Sequence, residues 1–192
     1  MLSNIVLLVV EAVLGFFSYL LVARFYMQWA RVPFRNQIGH FVVALTDWMV
    51  RPARRLVPGW AGLDLASLVL AFLLQTVIAA AEFWLHGFPF GTSLALPAAG
   101  IAGLGVLETL RVFVYLLIGV VLIGAVLSWV SPYSHLAPLL NGLASPFLRP
   151  IQRRLPTVAN IDLSPLVLLL LLQIALLLLA TARASLVPMI AG

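Results

Sequence analysis

Residues 51–75 read RPARRLVPGWAGLDLASLVLAFLLQ, and residues 149–173 read RPIQRRLPTVANIDLSPLVLLLLLQ, the same segment twice at a spacing of 98. Thirteen of the 25 gap-free pairs are identical. Leucine is abundant here, so the weight rests on the polar and special pairs: Arg51/Arg149, Pro52/Pro150, Arg55/Arg153, Pro58/Pro156, Asp64/Asp162 and Gln75/Gln173. Upstream, Trp29 answers Trp129 at a spacing of 100, so the second copy loses two residues between the tryptophan and the arginines. The chain reads as one unit duplicated: apolar helix, Arg-Pro-x-x-x-Arg loop, apolar helix. A repeat of this length sets the architecture before any other feature is read.

Outward from the repeated segment the chain is apolar. Hydrophobic residues make up 64% of the 192 and charged residues 9%, against about 25% charged in soluble domains. Four stretches, Asn4–Ala30, Leu63–His86, Leu104–Val130 and Leu163–Leu186, exceed the roughly 20 residues that cross about 30 Å of hydrocarbon. The expected fold is an all-α membrane protein with four transmembrane helices in two parallel repeats, residues 1–86 and 104–192, joined by an uncharged connector at 87–103. The first span lacks a basic n-region and a small-x-small cleavage site, so it reads as a retained helix and not as a signal peptide. The chain has no cysteine, which excludes disulfides and thiolate chemistry.

The net charge of +5 comes from 11 arginines and no lysine. Arg31, Arg35, Arg51, Arg54 and Arg55 lie between the first two spans, and Arg149, Arg153 and Arg154 between the last two. Short Arg-rich loops stay on the cytoplasmic side, so both termini and the connector are expected outside. An even number of spans per repeat makes the repeats parallel, unlike the inverted repeats of many transporters.

Ahead of each arginine segment runs an amphipathic stripe at i, i+3, i+4, i+7, i+11. It is Ile38, Phe41, Val42, Leu45 and Met49 in the first copy, and Leu136, Leu139, Leu140, Leu143 and Phe147 in the second. About twelve residues are too few to span, so a helix lying along the inner leaflet is expected, with a helix packed on the bundle as the alternative. Pro146 should bend or end the second of these helices. The arginines Arg51, Arg55, Arg149, Arg153 and Arg154 then sit at phosphate depth, where the guanidinium fork suits lipid phosphate or a partner's acidic groups. Asp64, Asp162 and Ser164 precede apolar runs and read as helix N-caps, or as partners of the nearby arginines.

Ionisable groups inside spans are expensive. Glu11, Glu82, Glu108 and Arg111 fall in the outer half of the bilayer, and Glu108 and Arg111 lie three apart, on one helix face. Arg111 reads as the only basic residue at that level and as the partner of Glu108 and of Glu11. Gln75 and Gln173 occupy equivalent places and suggest symmetric interhelical hydrogen bonds. Two readings of the acids follow, an ion-paired brace or a proton or cation path. Glu82 and His86 supply two ligands where a metal site wants three or four, and Gly100–Gly105 reads as a turn into the third span. No catalytic constellation and no cofactor motif is present.

The Trp, amphipathic helix, Arg-Pro-x-x-x-Arg-x-x-Pro and Asp-Leu-Ser-Pro unit resembles the YggT family of bacterial inner-membrane proteins. The resemblance runs from about Ala23 to Leu179 and is strongest from Ser145–Pro150 to Asp162–Pro165. In the first copy Asp47-Trp48 stands where the family has Asp-Pro, and Leu65-Ala66-Ser67 where it has Leu-Ser-Pro, so the second copy should be the more competent surface. The resemblance implies accessory roles in envelope and osmotic-stress tolerance, cell division or assembly of membrane complexes. The expectation is a non-enzymatic factor whose Arg modules bind anionic lipid or protein partners, homo-oligomers included, with no nucleic acid. The alternative is a small oligomeric channel or transporter for ions. On this topology a reporter fused after Gly192 reads periplasmic and one inserted near Asn141 reads cytoplasmic; the opposite result at both places overturns the orientation.

Overall fold

The computed structural model describes residues 2–59, 62–85, 95–131, 134–154 and 162–191. They form α1 (Leu2–Trp29), α2 (Gln37–Leu56), α3 (Leu65–Leu85), α4 (Ala95–Val130), α5 (Ala137–Gln152) and α6 (Ser164–Ala191). Within α1, α3, α4 and α6, the stretches Ser3–Trp29, Leu65–Leu85, Ala98–Ser128 and Ser164–Pro188 are long and apolar enough to cross a membrane. The chain is an all-α, multi-pass membrane protein. Its outward faces carry Leu8, Phe16, Leu122, Leu166, Leu170 and Leu177, side chains that lipid solvates at no cost and water does not.

The helices are bounded by local chemistry. At the end of α1 the Val32 N–H reaches back to the Met27 carbonyl at 2.9 Å and the Arg31 N–H to Gln28 at 3.0 Å. This closing pattern places Arg31 in the left-handed region, φ 55°, where glycine is the usual occupant. The buried pair Val32 and Met27 supplies the apolar contact that accompanies it. The Asn36 side chain then caps α2 by accepting the Gly39 N–H at 2.7 Å. A Cβ on Gly39 would run into the Phe34 backbone, so that approach requires glycine.

Within residues 2–85, α1 packs on α3 and α2 touches both; within 95–191, α4 packs on α6 and α5 touches both. The halves meet where α4 lies against α1 and α3. One apolar cluster joins Leu21, Val22, Val50 and Ala71 to Val112. A larger one gathers Tyr26, Met27 and Leu117 with Leu139, Leu143 and Leu172. Tyr26 stacks on Trp29 and lies edge-on to Phe113 at 5.2 Å, and its hydroxyl donates to the Leu143 carbonyl, which pins α5 to α1.

Three expectations change. The arginine segments are not loops: Arg51, Pro52, Arg54 and Arg55 form the last turns of α2, and α5 continues through Pro146 and Pro150 to Gln152. Proline removes one N–H donor without preventing a short, partly exposed helix supported by its buried face. The stripe of α5 does not lie on lipid, because Leu139, Leu140 and Leu143 are buried, with Leu136 and Phe147 packed against the same cluster. In α2 the stripe divides: Val42 is buried, while Ile38 and Phe41 stay exposed alongside Trp48. Finally, Gly100–Gly105 is helix and not a turn, since α4 begins at Ala95. Its glycines serve close packing, for a Cβ on Gly105 would strike Thr76 of α3 and one on Gly100 would strike Ile190 of α6. Small residues at such crossings let backbones approach in a membrane.

Candidate functional site

Charge gathers at the two ends of the bundle. At the end bearing α2 and α5, Arg24 lies five residues, about 8 Å, inside the end of the first span and is 5% exposed. Its guanidinium donates to Thr46 Oγ1 at 2.8 Å and to Asp47 Oδ1 at 3.1 Å, and its Nε stands 3.3 Å from Asp64 Oδ2. Arg54 forks onto the same carboxylate at 2.6 and 3.2 Å, and the Ser67 hydroxyl donates to it at 2.9 Å. Arg51 closes on Asp47 at 2.6 Å, one helical turn away. Burial alone would raise the Asp64 carboxyl; hydrogen bonds from Arg54 and Ser67 and the charges of Arg54 and Arg24 outweigh it and hold the group below the ordinary Asp value. Asp47 is shifted the same way: desolvation opposes, and Arg24 and Arg51 prevail. The Asp64 side chain is therefore the hub of an ion network and not a helix cap.

The second half has different residues at the matching positions. Gly124 stands where the spacing of 100 places Arg24, and Ala144, Ser145 and Gln152 answer Thr46, Asp47 and Arg54 at the spacing of 98. Asp162 accepts the Ser164 N–H at 2.8 Å, the capping geometry, and the Gln152 amide at 2.8 Å. The Ser164 Oγ is buried beside Asp162. Arg149, Arg153 and Arg154 are exposed and form no ion pair among the described residues, and the same holds for Arg55. Arg149 shares a pocket of about 430 Å³ with Asn141, Ser145 and Gln152, residues that recur every three or four positions along one face of α5.

At the opposite end, a cavity of about 350 Å³ is lined by Glu11, Glu82, Glu108, Arg111, Arg183 and Gln75, among others. Arg183 of α6 bridges two helices, with Nη2 2.6 Å from Glu82 Oε2 and Nε 3.3 Å from Glu108 Oε1. Arg111 reaches Glu108 more loosely, at 3.6 Å, and lies over the Tyr115 ring at 5.6 Å. Arg111 is thus not the only basic residue at this level. Arg183 holds the stronger position, and position along its own helix was the one signal that could have found it, five residues short of the span's end at Pro188. Glu11 is exposed on the same cavity and makes no ion pair or hydrogen bond among the described residues; Arg111 does not reach it. The Gln75 amide donates to Ser18 Oγ at 2.9 Å inside the bundle, whereas Gln173 is exposed and unbonded among the described residues. The expected symmetry fails because Ile118 stands in the place of Ser18. His86 lies outside the described residues.

The sequence profile of the CCB3/YggT family matches residues 3–85 and 104–182, two segments that coincide with the two halves of the bundle. The uncharacterized protein YggT of Escherichia coli K12 is 37% identical over 172 residues, covering 89% of this chain and 87% of its own. A Pseudomonas aeruginosa relative is 37% identical over 161 residues, with 81% and 79% covered. A Haemophilus influenzae relative is 30% identical over 166 residues, with 86% of each chain covered. These relatives carry names that assign no activity. No solved structure matches the chain.

Arg183 makes two contacts at the cavity and Arg111 one long one, so the two should differ in weight. Arg183→Leu removes the bridge between Glu82 and Glu108 and leaves Glu108 only its longer contact with Arg111, and should lower unfolding free energy in detergent by on the order of 2–3 kcal/mol. Arg111→Leu should cost clearly less, and adding Glu82→Gln to Arg183→Leu should restore part of the loss. Equal midpoints for the two single variants in a thermal melt contradict this ranking.

Proposed function

The chain belongs to the CCB3/YggT family, and from that premise we propose that it is a non-enzymatic accessory factor of the bacterial inner membrane. In this reading both termini lie outside and the end bearing α2 and α5 faces the cytoplasm. Arg149, with Arg153 and Arg154 beside it, holds the phosphate of an anionic phospholipid, and the surface so dressed docks envelope, division or assembly partners.

One observation carries this reading. Arg51 is tied at 2.6 Å to Asp47, whereas its counterpart Arg149 has no acidic partner among the described residues and opens on a pocket edged by Asn141 and Ser145. A guanidinium fork beside an amide and a hydroxyl suits a phosphate, which accepts several hydrogen bonds at once. The exposed Phe41 and Trp48 of α2 supply the aromatic contact that settles a helix at headgroup depth. Orientation follows from the concentration of arginine at this end of the bundle.

Each basic residue at an anionic surface contributes about 1 kcal/mol, so Arg149→Gln with Arg153→Gln should weaken retention of acidic lipid by roughly tenfold or more. Phosphatidylglycerol and cardiolipin that co-purify in mild detergent are quantified by mass spectrometry. Arg51→Gln with Arg55→Gln should lose less, because Arg51 is already neutralised within the protein. Equal retention by both double variants and the parent contradicts the proposal.

A further inference from the structure

The last helix, α6, is the span least covered by its own chain: 11% of its most apolar stretch is buried, against 22–28% in the other three. Its exposed face carries Leu166, Leu170, Gln173, Leu177, Ala180 and Ala184, at steps of four, three, four, three and four residues. That 3.5-residue period is the seam of a left-handed helix pair, and small residues four apart, as at Ala180 and Ala184, let two backbones approach closely. The leucines do not say what covers the face, since lipid tails and protein serve them equally. Gln173 does.

Nine residues of helix, about 14 Å, separate Gln173 from the start of its span at Ser164, and fifteen, about 22 Å, separate it from the end at Pro188. The amide therefore lies near the middle of a hydrocarbon layer about 30 Å thick. It is exposed and makes no hydrogen bond among the described residues. Neither lipid tails nor water supply a partner at that depth, and an unbonded amide there is costly. The first half shows what the group does when a partner is at hand: Gln75, at the equivalent place, donates to Ser18 Oγ at 2.9 Å.

We propose that this face of α6 pairs with the same face of a second copy of the chain, and that the two Gln173 amides bond to each other across a two-fold axis along the membrane normal. All copies insert with one orientation, so α6 meets α6 in parallel and Gln173 meets Gln173 at the same depth with no shift in register. A carboxamide carries both donor and acceptor, which lets like meet like in a contact made of one patch twice. A different partner needs a polar group at matching depth; the second copy has one by construction. Arg183 turns to the cavity and its acids, away from the seam, so pairing leaves those contacts intact. Since α5 packs on α6, the pair sets two arginine surfaces on one side of the membrane, and the contact does not depend on what they bind.

The chain has no cysteine, so single introduced cysteines report the contact by oxidative cross-linking in native membranes. Leu177 and Leu178 lie at nearly the same depth and are 65% and 63% exposed, yet they point about 100° apart around the helix. Leu170 and Leu171 repeat the comparison seven residues earlier. A disulfide needs Cα atoms within about 7 Å, so Leu177→Cys and Leu170→Cys should give a product of twice the chain's mass, and Leu178→Cys and Leu171→Cys little. Random collision would cross-link each neighbouring pair equally. The purified full chain, labelled through one added cysteine, is then diluted with lipid in liposomes, and association is read by energy transfer between copies. Gln173→Leu removes only an amide from a lipid-facing position and should weaken association by roughly three- to thirtyfold, the range for one hydrogen bond between membrane helices. Equal cross-linking at 177 and 178, a product joining the chain to a protein of another mass in place of the doubled one, or unchanged association of Gln173→Leu overturns the proposal.

Discussion

A guanidinium cannot remain in hydrocarbon without acidic partners, and Arg24 carries one inside an apolar helix. Meeting that requirement decides the arrangement of the first half. Arg24 draws Asp47 from α2 and Asp64 from the start of α3 to one point on α1, so three helices are joined through one side chain. Thr46 enters the same cluster, which aligns the buried face of α2, Gly39, Val42, Thr46 and Val50, against the bundle. With Arg51 and Arg54 also drawn onto the two aspartates, three of the six arginines of the first half are paired within the protein.

The second half repeats the helices without the charge that organised them. Glycine occupies the Arg24 position, and α5 is instead fixed by its leucine stripe and by the Tyr26 hydroxyl on the Leu143 carbonyl. Apolar packing leaves the arginines of α5 without acidic partners among the described residues, which is why the surface proposed for phosphate lies here and not on α2. The same divergence appears at mid-bundle, where Gln75 finds Ser18 and Gln173 finds no hydroxyl among the described residues. Two copies of one unit thus divide between them what neither does alone: one braces, the other presents.

The four spans and the Glu108–Arg111 pairing were readable from spacing, since each depends on positions within a single helix. What escaped depends on helices far apart in the chain. Arg183 pairs with acids on α3 and α4, and position along α6 places it at the right depth but does not say which way it turns. The partners of Arg24 lie 23 and 40 residues away (Asp47 and Asp64); an arginine within a span demands an acid, and those two aspartates are the nearest in the chain on its C-terminal side, a signal that spacing alone did not rank. The glycines of 100–105 read as a turn because glycine favours turns in water, whereas between membrane helices its lack of a side chain serves contact. Proline misled in the same way: the arginine segments stay helical because their buried faces are packed.

If the Arg24 cluster organises the first half, Arg24 and Asp64 must be energetically coupled, and a double-mutant cycle measures that coupling directly. Unfolding free energies of the parent, Arg24→Met, Asp64→Asn and the double variant are determined in one detergent. Each single substitution strands a buried charge and should be strongly destabilising, on the order of 3 kcal/mol. The double variant should be less destabilised than the sum of the singles by about 1–3 kcal/mol. Additivity to within about 0.5 kcal/mol would mean that the two residues stabilise the protein independently, and that the constraint on which this description of the fold rests is not the one that holds it.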